Sequence, residues 1–477
     1  MPSRTTAKPF EQPTFELLVR ELAYRDPLAA FAPWADEPLA ALLHSADAAD
    51  GRGRYSYLAV EPFRTLEAAD GRISVDGQPA MGEPLTVLER ELAAFRLPPA
   101  AAPVPFSTGA VGFLGYELGQ TLERLPARHG NDLDIPDMVF GFYDVVLAFD
   151  HLERRAWLLS SGFPARDAWA RRARASARAD AVEARLAQAP ATLPEPQRAV
   201  ARWRAELSRD DYMARVARIL DYLRAGDILQ ANFTARMLAP RPKNISAFDL
   251  FRRLTSLSPA PFAAYLACGA RLSLASASPE RLLSLTADGR IETRPIKGTR
   301  RRGATPAEDA ALANELAGSL KDRAENVMIT DLLRNDIGRV ARIGSVRVPA
   351  LCQVETFASV HHLVSVIAGQ LQPGLGPVDL LRATFPGGSI TGAPKVHAME
   401  IIDELEASRR GPYCGSIAWI GFDGAMDSSI VIRTLTVTPE LVVAQAGGGI
   451  VADSDPALEH DEMRVKIGPL LHVLEEE

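Results

Sequence analysis

The runs SSIVIRTLTV (428–437) and LVVAQAGGGIVA (441–452) decide the fold class. Each is an apolar segment of strand length, with β-branched residues prominent. RLSLASASP (271–279) and GSIAWIGF (415–422) read the same way. Segments with helical spacing lie among them: DDYMARVARILDYLRA (210–225) follows Ser208, a candidate N-cap, and residues 321–340 repeat the pattern over a longer span. Strands grouped with helices, without strict βαβ alternation, argue for an α+β protein with antiparallel sheets.

Upstream, residues 1 to about 160 alternate apolar runs with turn signals, as in GRYSYLAVEP, GAVGFLGYELG and VFGFYDVVLAFD, and read as mostly β with a few helices. Residues 164–189 then shift to alanine and arginine, the pattern of a solvated helix packing on one stripe. The proline-rich PATLPEPQ (190–197) follows as a connector, which divides the chain into regions 1–197 and 198–477. At 477 residues the chain exceeds what one simple core sustains, so two domains or one large multi-sheet unit are expected.

Composition narrows the function. Apolar residues make up 47% and charged residues 24%, an ordinary globular balance with material for a buried core. A net charge of −7 leaves no electrostatic footprint for nucleic acid or an anionic membrane, and points to small-molecule or protein partners. The three cysteines, Cys268, Cys352 and Cys414, have no CxxC spacing, which fits a reducing compartment. The start MPSRTTAKPFEQPTFE lacks an apolar core for a signal peptide, and no run of about 18 uncharged apolar residues occurs, so a soluble cytoplasmic protein is expected.

Two glycine-rich stretches invite a nucleotide reading and fail it. Gly447–Ala452 fits G-x-G-x-x-A but leaves too little chain for a βαβ unit, and PGGSITGAPK (386–395) misses the phosphate-loop spacing. Both remain able to bring backbone N–H groups close to a carboxylate. Asp322 and Glu325 are three residues apart in a helical pattern, as are Glu459 and Glu462, so each pair shares a face. Oxygen ligands from two helices suit a hard ion such as Mg²⁺, yet each pair read alone is more simply two solvated acids. Arg433 lies in an apolar strand pattern and must meet a carboxylate, from the protein or from a substrate. Lys466 follows Glu462 by four residues, which also fits an ordinary i,i+4 pair. TRPIKGTRR (293–301) sets Lys297 in a segment built to bend, and alone reads as an exposed turn lysine.

Together these motifs resemble the chorismate-utilising enzymes, which include anthranilate, aminodeoxychorismate, isochorismate and salicylate synthases. The resemblance is carried by GDILQANFT (226–234), SASPERLL (275–282), RPIKGTRRRG (294–303), LKDRAENVMITDLLRNDIGRV (320–340), VHHLVS (360–365), FPGGSITGAPKVHAMEIIDELE (385–406), GPYCGSIAWI (411–420), MDSSIVIRTL (426–435) and AGGGIVADSDPALEHDEMRVK (446–466). It continues more weakly at LLHSADAADGRGRYSYLAVEP (42–62) and STGAVGFLGYELG (107–119). It implies two large, mainly antiparallel sheets packed face to face with helices outside, and a Mg²⁺-dependent site for chorismate. By resemblance Glu325 and Glu462 are the direct metal ligands, and Asp322 and Glu459 hold metal-bound water. Arg433 and Tyr413, with backbone groups around Gly449 and with Lys466, take a substrate carboxylate. Thr391, Gly447, Gly448, Gln230 and Asn232 join them as substrate-binding positions.

Single residues separate the branches. Water-adding members carry a lysine base where this chain has Gln230, and a neutral amide cannot replace it. Anthranilate synthases read PIAGT where this chain reads PIKGT, so the resemblance favours the aminodeoxychorismate synthase branch, with the anthranilate synthase large subunit as the alternative. It implies that Lys297 attacks the ring covalently, that Glu280 is the general acid and that His362 orients the substrate. Ammonia then comes from a separate glutamine amidotransferase, because no cysteine here has a nucleophile-like setting. The segment at 42–62 resembles a tryptophan-binding one, but with His44 in place of an acid and Ala59 in place of a glycine, which argues against feedback inhibition.

Overall fold

The computed structural model describes residues 17–46, 53–99, 102–357 and 360–475. The N-terminal stretch 1–16 and positions 47–52 of the weaker resemblance lie outside them. Within the described residues, two antiparallel sheets of 12 strands each form the frame, with 11 α-helices on their outer faces. The expected architecture is therefore present.

Period-two alternation builds the layers. Tyr57, Val146, Ala148, Trp157, Leu159, Ala264 and Leu266 of one sheet meet Val111, Phe113, Val139, Ile417 and Trp419 of the other in a shared core. Their chain neighbours Leu58, Leu147, Leu158 and Tyr265 point outward, beneath helices Arg209–Ala225, Ala247–Leu257 and Pro456–Leu471. Ala110, Phe140, Ala418 and Ile420 point outward from the second sheet, beneath helices Pro84–Ala93, Leu320–Gly338 and Pro377–Thr384. Strands covered on both faces read as continuous apolar runs, which is why VFGFYDVVLAFD shows little alternation.

Strands from both sides of residue 197 make up each sheet. In the first, Ala41–His44 pairs with Phe262–Ala267; in the second, Gly109–Leu114 pairs with Ser416–Gly421. The alanine- and arginine-rich segment forms helix Ala168–Leu186, whose buried stripe is Ala175, Ala179, Val182 and Leu186. Several of its arginines do more than face solvent; among them Arg174 and Arg178 reach the fully buried Asp144 at 3.2 and 3.3 Å. No helix among the described residues is long and apolar enough to cross a membrane.

Candidate active site

The site lies where the ends of strands from both sheets meet two helices. Ser319 caps helix Leu320–Gly338 by accepting the Asp322 amide at 3.2 Å, and Asp455 caps helix Pro456–Leu471 through the amides of Ala457 and Leu458. These helices present Asp322 and Glu325, and Glu459, Glu462 and Lys466, to one cavity of about 690 Å³. Lys297, Glu280, His362, Arg433, Tyr413, Asn232, Gly447 and Gly449 line the same cavity. Residues far apart in sequence thus converge on a space suited to a small, densely polar ligand.

Lys297 is not the exposed turn lysine that its segment alone suggests. It lies in strand Ile296–Arg301, whose register against Val360–Gln370 slips between Ile296 and Thr299. Gly298 makes that slip, with φ at +80°, and the bulge aims the lysine inward. A Cβ at Gly298 would lie 2.9 Å from Asp322 Cβ, Asp322 Cγ and Leu316 Cδ1. Gly298→Ala therefore combines a left-handed backbone with a clash, and we expect thermal denaturation to show a loss of about 1–3 kcal/mol.

Lys297 Nζ donates to the Ser389 carbonyl oxygen at 3.1 Å. Burial lowers its pKa, against the opposing pull of Glu280, Glu325 and Glu462. Glu280 is itself only 8% exposed, and burial raises its pKa despite Lys297 and a hydrogen bond with the Ser389 side chain. Desolvation therefore pushes both groups toward their neutral forms, against the attraction between them. His362 Nδ1 is hydrogen-bonded to the Thr299 hydroxyl at 2.8 Å, and its ring meets Phe357 edge-on.

Arg433 carries a guanidinium whose pKa burial lowers, and among the described residues it makes no ion pair with a protein carboxylate. Arg433 is not within a strand as its sequence pattern suggests: with φ at +49° it sits at the bend where the chain passes from strand Met426–Ile430 of one sheet to Thr434–Val437 of the other, which turns it toward the cavity. Tyr413, 7% exposed, has its phenol pushed well above its ordinary pKa by burial. Lys466 is held twice, by Glu462 Oε1 at 2.6 Å and by the Gly447 carbonyl oxygen at 3.1 Å. The backbone at Gly448 passes close to the same charges, since a Cβ there would lie 3.2 Å from Glu459 Oε2 and 3.6 Å from Lys466 Nζ.

Besides Gly448, two expected positions are not part of the cavity wall. Thr391 is fully buried and spends its hydroxyl on the Gly387 carbonyl oxygen at 3.1 Å, so only its main chain, which accepts from the Asn232 amide at 2.7 Å, braces the site. Gln230 is 1% exposed and packs behind Gly449 rather than lining the cavity. Ser389, Lys321 and Gln445 line it without having been expected. Ser389 had a signal in PGGSITGAPK, a stretch that repays reading for backbone and hydroxyl contacts as well as for phosphate.

The carboxylates form no ready-made cage: among the described residues no three or more His, Cys, Asp or Glu side chains are grouped to hold a metal. Asp322 meets Arg300 at 3.1 Å and Glu459 accepts from the Ser454 hydroxyl at 2.6 Å. Burial raises the pKa of Glu325 and Glu459, and each feels a neighbouring carboxylate. Burial also opposes the charge on Glu462, but Lys466 beside it brings its pKa below the ordinary value. Oxygen donors crowded by like charge fit a hard cation that takes one or two carboxylates and keeps waters.

A deep cavity with an unpaired guanidinium, a buried acid, a desolvated lysine and two acidic helix faces marks an enzyme site for an anionic small molecule. The chain belongs to the chorismate binding enzyme family, whose pattern matches residues 42–472. Among its relatives, aminodeoxychorismate synthase component 1 of Klebsiella aerogenes is 45% identical over 93% of this chain and 96% of its own. Anthranilate synthase component 1 of Thermus thermophilus is 41% identical over 94% and 95%. The crystal structure of anthranilate synthase component I from Streptococcus pneumoniae superposes with a TM-score of 0.77 at 30% identity, covering 88% of this chain and 92% of that one.

The segment resembling a tryptophan site borders a separate cavity of about 290 Å³, lined by His44, Arg54, Tyr57, Phe262, Arg281 and Trp419 among others. Burial, with His151 nearby, pushes the His44 pKa down to about 3, so this imidazole is neutral at physiological pH.

Proposed function

We propose that the protein aminates chorismate at C4, as component 1 of a two-part aminodeoxychorismate synthase. The observation that carries this reading is the placement of Lys297 and Glu280 in one cavity, both tied to Ser389 and both pushed toward their neutral forms. Relatives named aminodeoxychorismate synthase component 1 support it. Ammonia would come from a separate glutamine amidotransferase, and the product would serve p-aminobenzoate and folate synthesis in the cytoplasm.

The neutral Lys297 amine attacks C2 of the ring, both ring double bonds shift round the ring toward C4, and the C4 hydroxyl leaves as water with the proton of Glu280. Ammonia then adds at C4, both double bonds shift back, and the lysine departs from C2 as a neutral amine. The proton released by the new C4 ammonium returns to the Glu280 carboxylate. Chorismate and ammonia become 4-amino-4-deoxychorismate and water, with the enolpyruvyl group retained. Lysine at C2 blocks that carbon to ammonia, which is why one side chain decides where nitrogen lands.

Arg433 and Tyr413 hold one substrate carboxylate, with Lys466 and the main chain at Gly447–Gly449 beside them. His362 orients the ring. Glu325 and Glu462 would hold Mg²⁺, with Asp322 and Glu459 around its waters, and the ion would neutralise the other substrate carboxylate. Removal of metal with a chelator is expected to abolish turnover, and Mg²⁺ to restore it. Replacing Arg433 with Met removes a charged hydrogen-bond donor worth about 1.5–3 kcal/mol, on the order of 10–150-fold in the chorismate KM.

The pH dependence follows from the two shifts. Lys297 must be neutral, so adduct formation falls as pH drops through its lowered pKa; Glu280 must be protonated, so it falls as pH rises through its raised pKa. A bell-shaped rate is expected when the adduct is followed without ammonium, which removes the titration of ammonia itself. A rate that climbs steadily to alkaline pH contradicts the assignment of Glu280.

Incubation with chorismate, Mg²⁺ and ammonium tests the reading. The expected product is 4-amino-4-deoxychorismate; fluorescent anthranilate as the main product overturns it in favour of the anthranilate synthases that also stand among the relatives.

A further inference from the structure

Among the described residues two buried amide oxygens, one on the cavity wall and one just behind it, have no donor. Gln230 and Asn232 are two residues apart on strand Gln230–Pro240, so their side chains leave the same face. They are 1% and 9% exposed, and among the described residues neither Gln230 Oε1 nor Asn232 Oδ1 accepts a hydrogen bond. Asn232 lines the main cavity, and its cross-strand partner is Gly449. Gln230 packs directly behind that glycine, its Nε2 lying 2.1 Å from where a Cβ would be, so only glycine at 449 leaves room for the amide.

Buried acceptors without donors are uncommon, and a ligand that brings N–H groups is one resolution. The two substrates of the proposed reaction differ sharply in this respect. Chorismate offers two carboxylates and an ether, all acceptors, with a single hydroxyl as donor. Ammonia offers three N–H groups. A carboxylate in the same place would favour ammonium, which has no lone pair to attack with, whereas a neutral amide oxygen accepts from ammonia without so strong a pull on its pKa.

The strand also points from the surface inward. Leu229, which immediately precedes Gln230, is 65% exposed and its amide is bonded to the Ala393 carbonyl oxygen at 2.7 Å. The order along the chain is surface, Gln230, Asn232, cavity.

We propose that Gln230 Oε1 and Asn232 Oδ1 form the holding site for ammonia before it adds to the ring, a reading that rests on the aminating function above. The test is steady-state amination by the full chain with ammonium chloride at fixed pH, comparing wild type with Gln230→Met and Asn232→Leu. These side chains are close in size to the originals but have no amide acceptor. The ammonium KM is expected to rise tenfold or more in each variant and to exceed any rise in the chorismate KM several-fold.

An ammonium KM that stays at the wild-type value in both variants, with 4-amino product still made, overturns the proposal: water or the chorismate hydroxyl then satisfies these oxygens. A chorismate KM that rises as much as the ammonium KM overturns it too, by assigning the oxygens to chorismate. If wild type itself makes no 4-amino product, it is the aminating reading that fails, and the holding site fails with it. A melting curve for each variant separates misfolding from weak ammonia binding, and one folded variant is enough to decide.

Discussion

Lys297→Ala is expected to form no covalent adduct with chorismate and to lose 4-amino-4-deoxychorismate production by on the order of 10³-fold or more, because a nucleophile that acts as a unit with its acid leaves little behind when removed. The fold should tolerate the change. Among the described residues Lys297 makes one hydrogen bond, to the Ser389 carbonyl oxygen, and no ion pair with a protein carboxylate. Removing a desolvated amine from a cavity wall relieves a buried charge site as much as it removes contacts. Denaturation midpoints close to wild type, together with the lost adduct, are the expected pair of results. A variant that keeps the adduct shows that another group is the nucleophile.

Glu280→Gln is expected to lower kcat by roughly 10²–10⁴-fold, the usual contribution of a positioned general acid, with a smaller change in the chorismate KM. The amide matches the carboxyl in shape and keeps a hydrogen-bonding partner for Ser389, but it has no proton to give to the departing hydroxyl. Because Glu280 acts before ammonia arrives, the loss should appear in the rate of adduct formation without ammonium. A variant that forms the adduct at the wild-type rate while amination is slow places Glu280 in the second half of the reaction.

Much of this was legible in the residues. Strand-length apolar runs without βαβ order indicated antiparallel sheets, and caps such as Ser208, whose hydroxyl accepts the Asp211 amide at 3.1 Å, are where local pattern placed them. The i,i+3 spacing of Asp322 with Glu325 and of Glu459 with Glu462 put each pair on one helix face. That the two faces share a cavity is a tertiary fact which no spacing carries, and it took the family resemblance to join them before the fold did.

What stayed hidden depended on long-range register and on burial. Each sheet draws strands from both sides of the proline-rich connector, and pairings such as Gly109–Leu114 with Ser416–Gly421 span more than half of the sequence. The turn-like PIKGT could be seen to bend, but not that a bulge at Gly298 carries Lys297 into a cavity. Thr391 shows the converse: its motif is recognisable, yet its hydroxyl is committed to Gly387 and away from the substrate space. Ser389, two residues earlier, is the one beside Lys297 and Glu280.

The central claim is that Lys297 bonds to the ring. Intact mass measurement of the wild-type protein with chorismate and Mg²⁺, in the absence of ammonium, followed by peptide mapping, tests it most directly. The expected result is a gain equal to chorismate less one water, located on Lys297 and discharged when ammonium is added. A protein that makes 4-amino-4-deoxychorismate while carrying no such adduct, or carrying it on another residue, contradicts the claim.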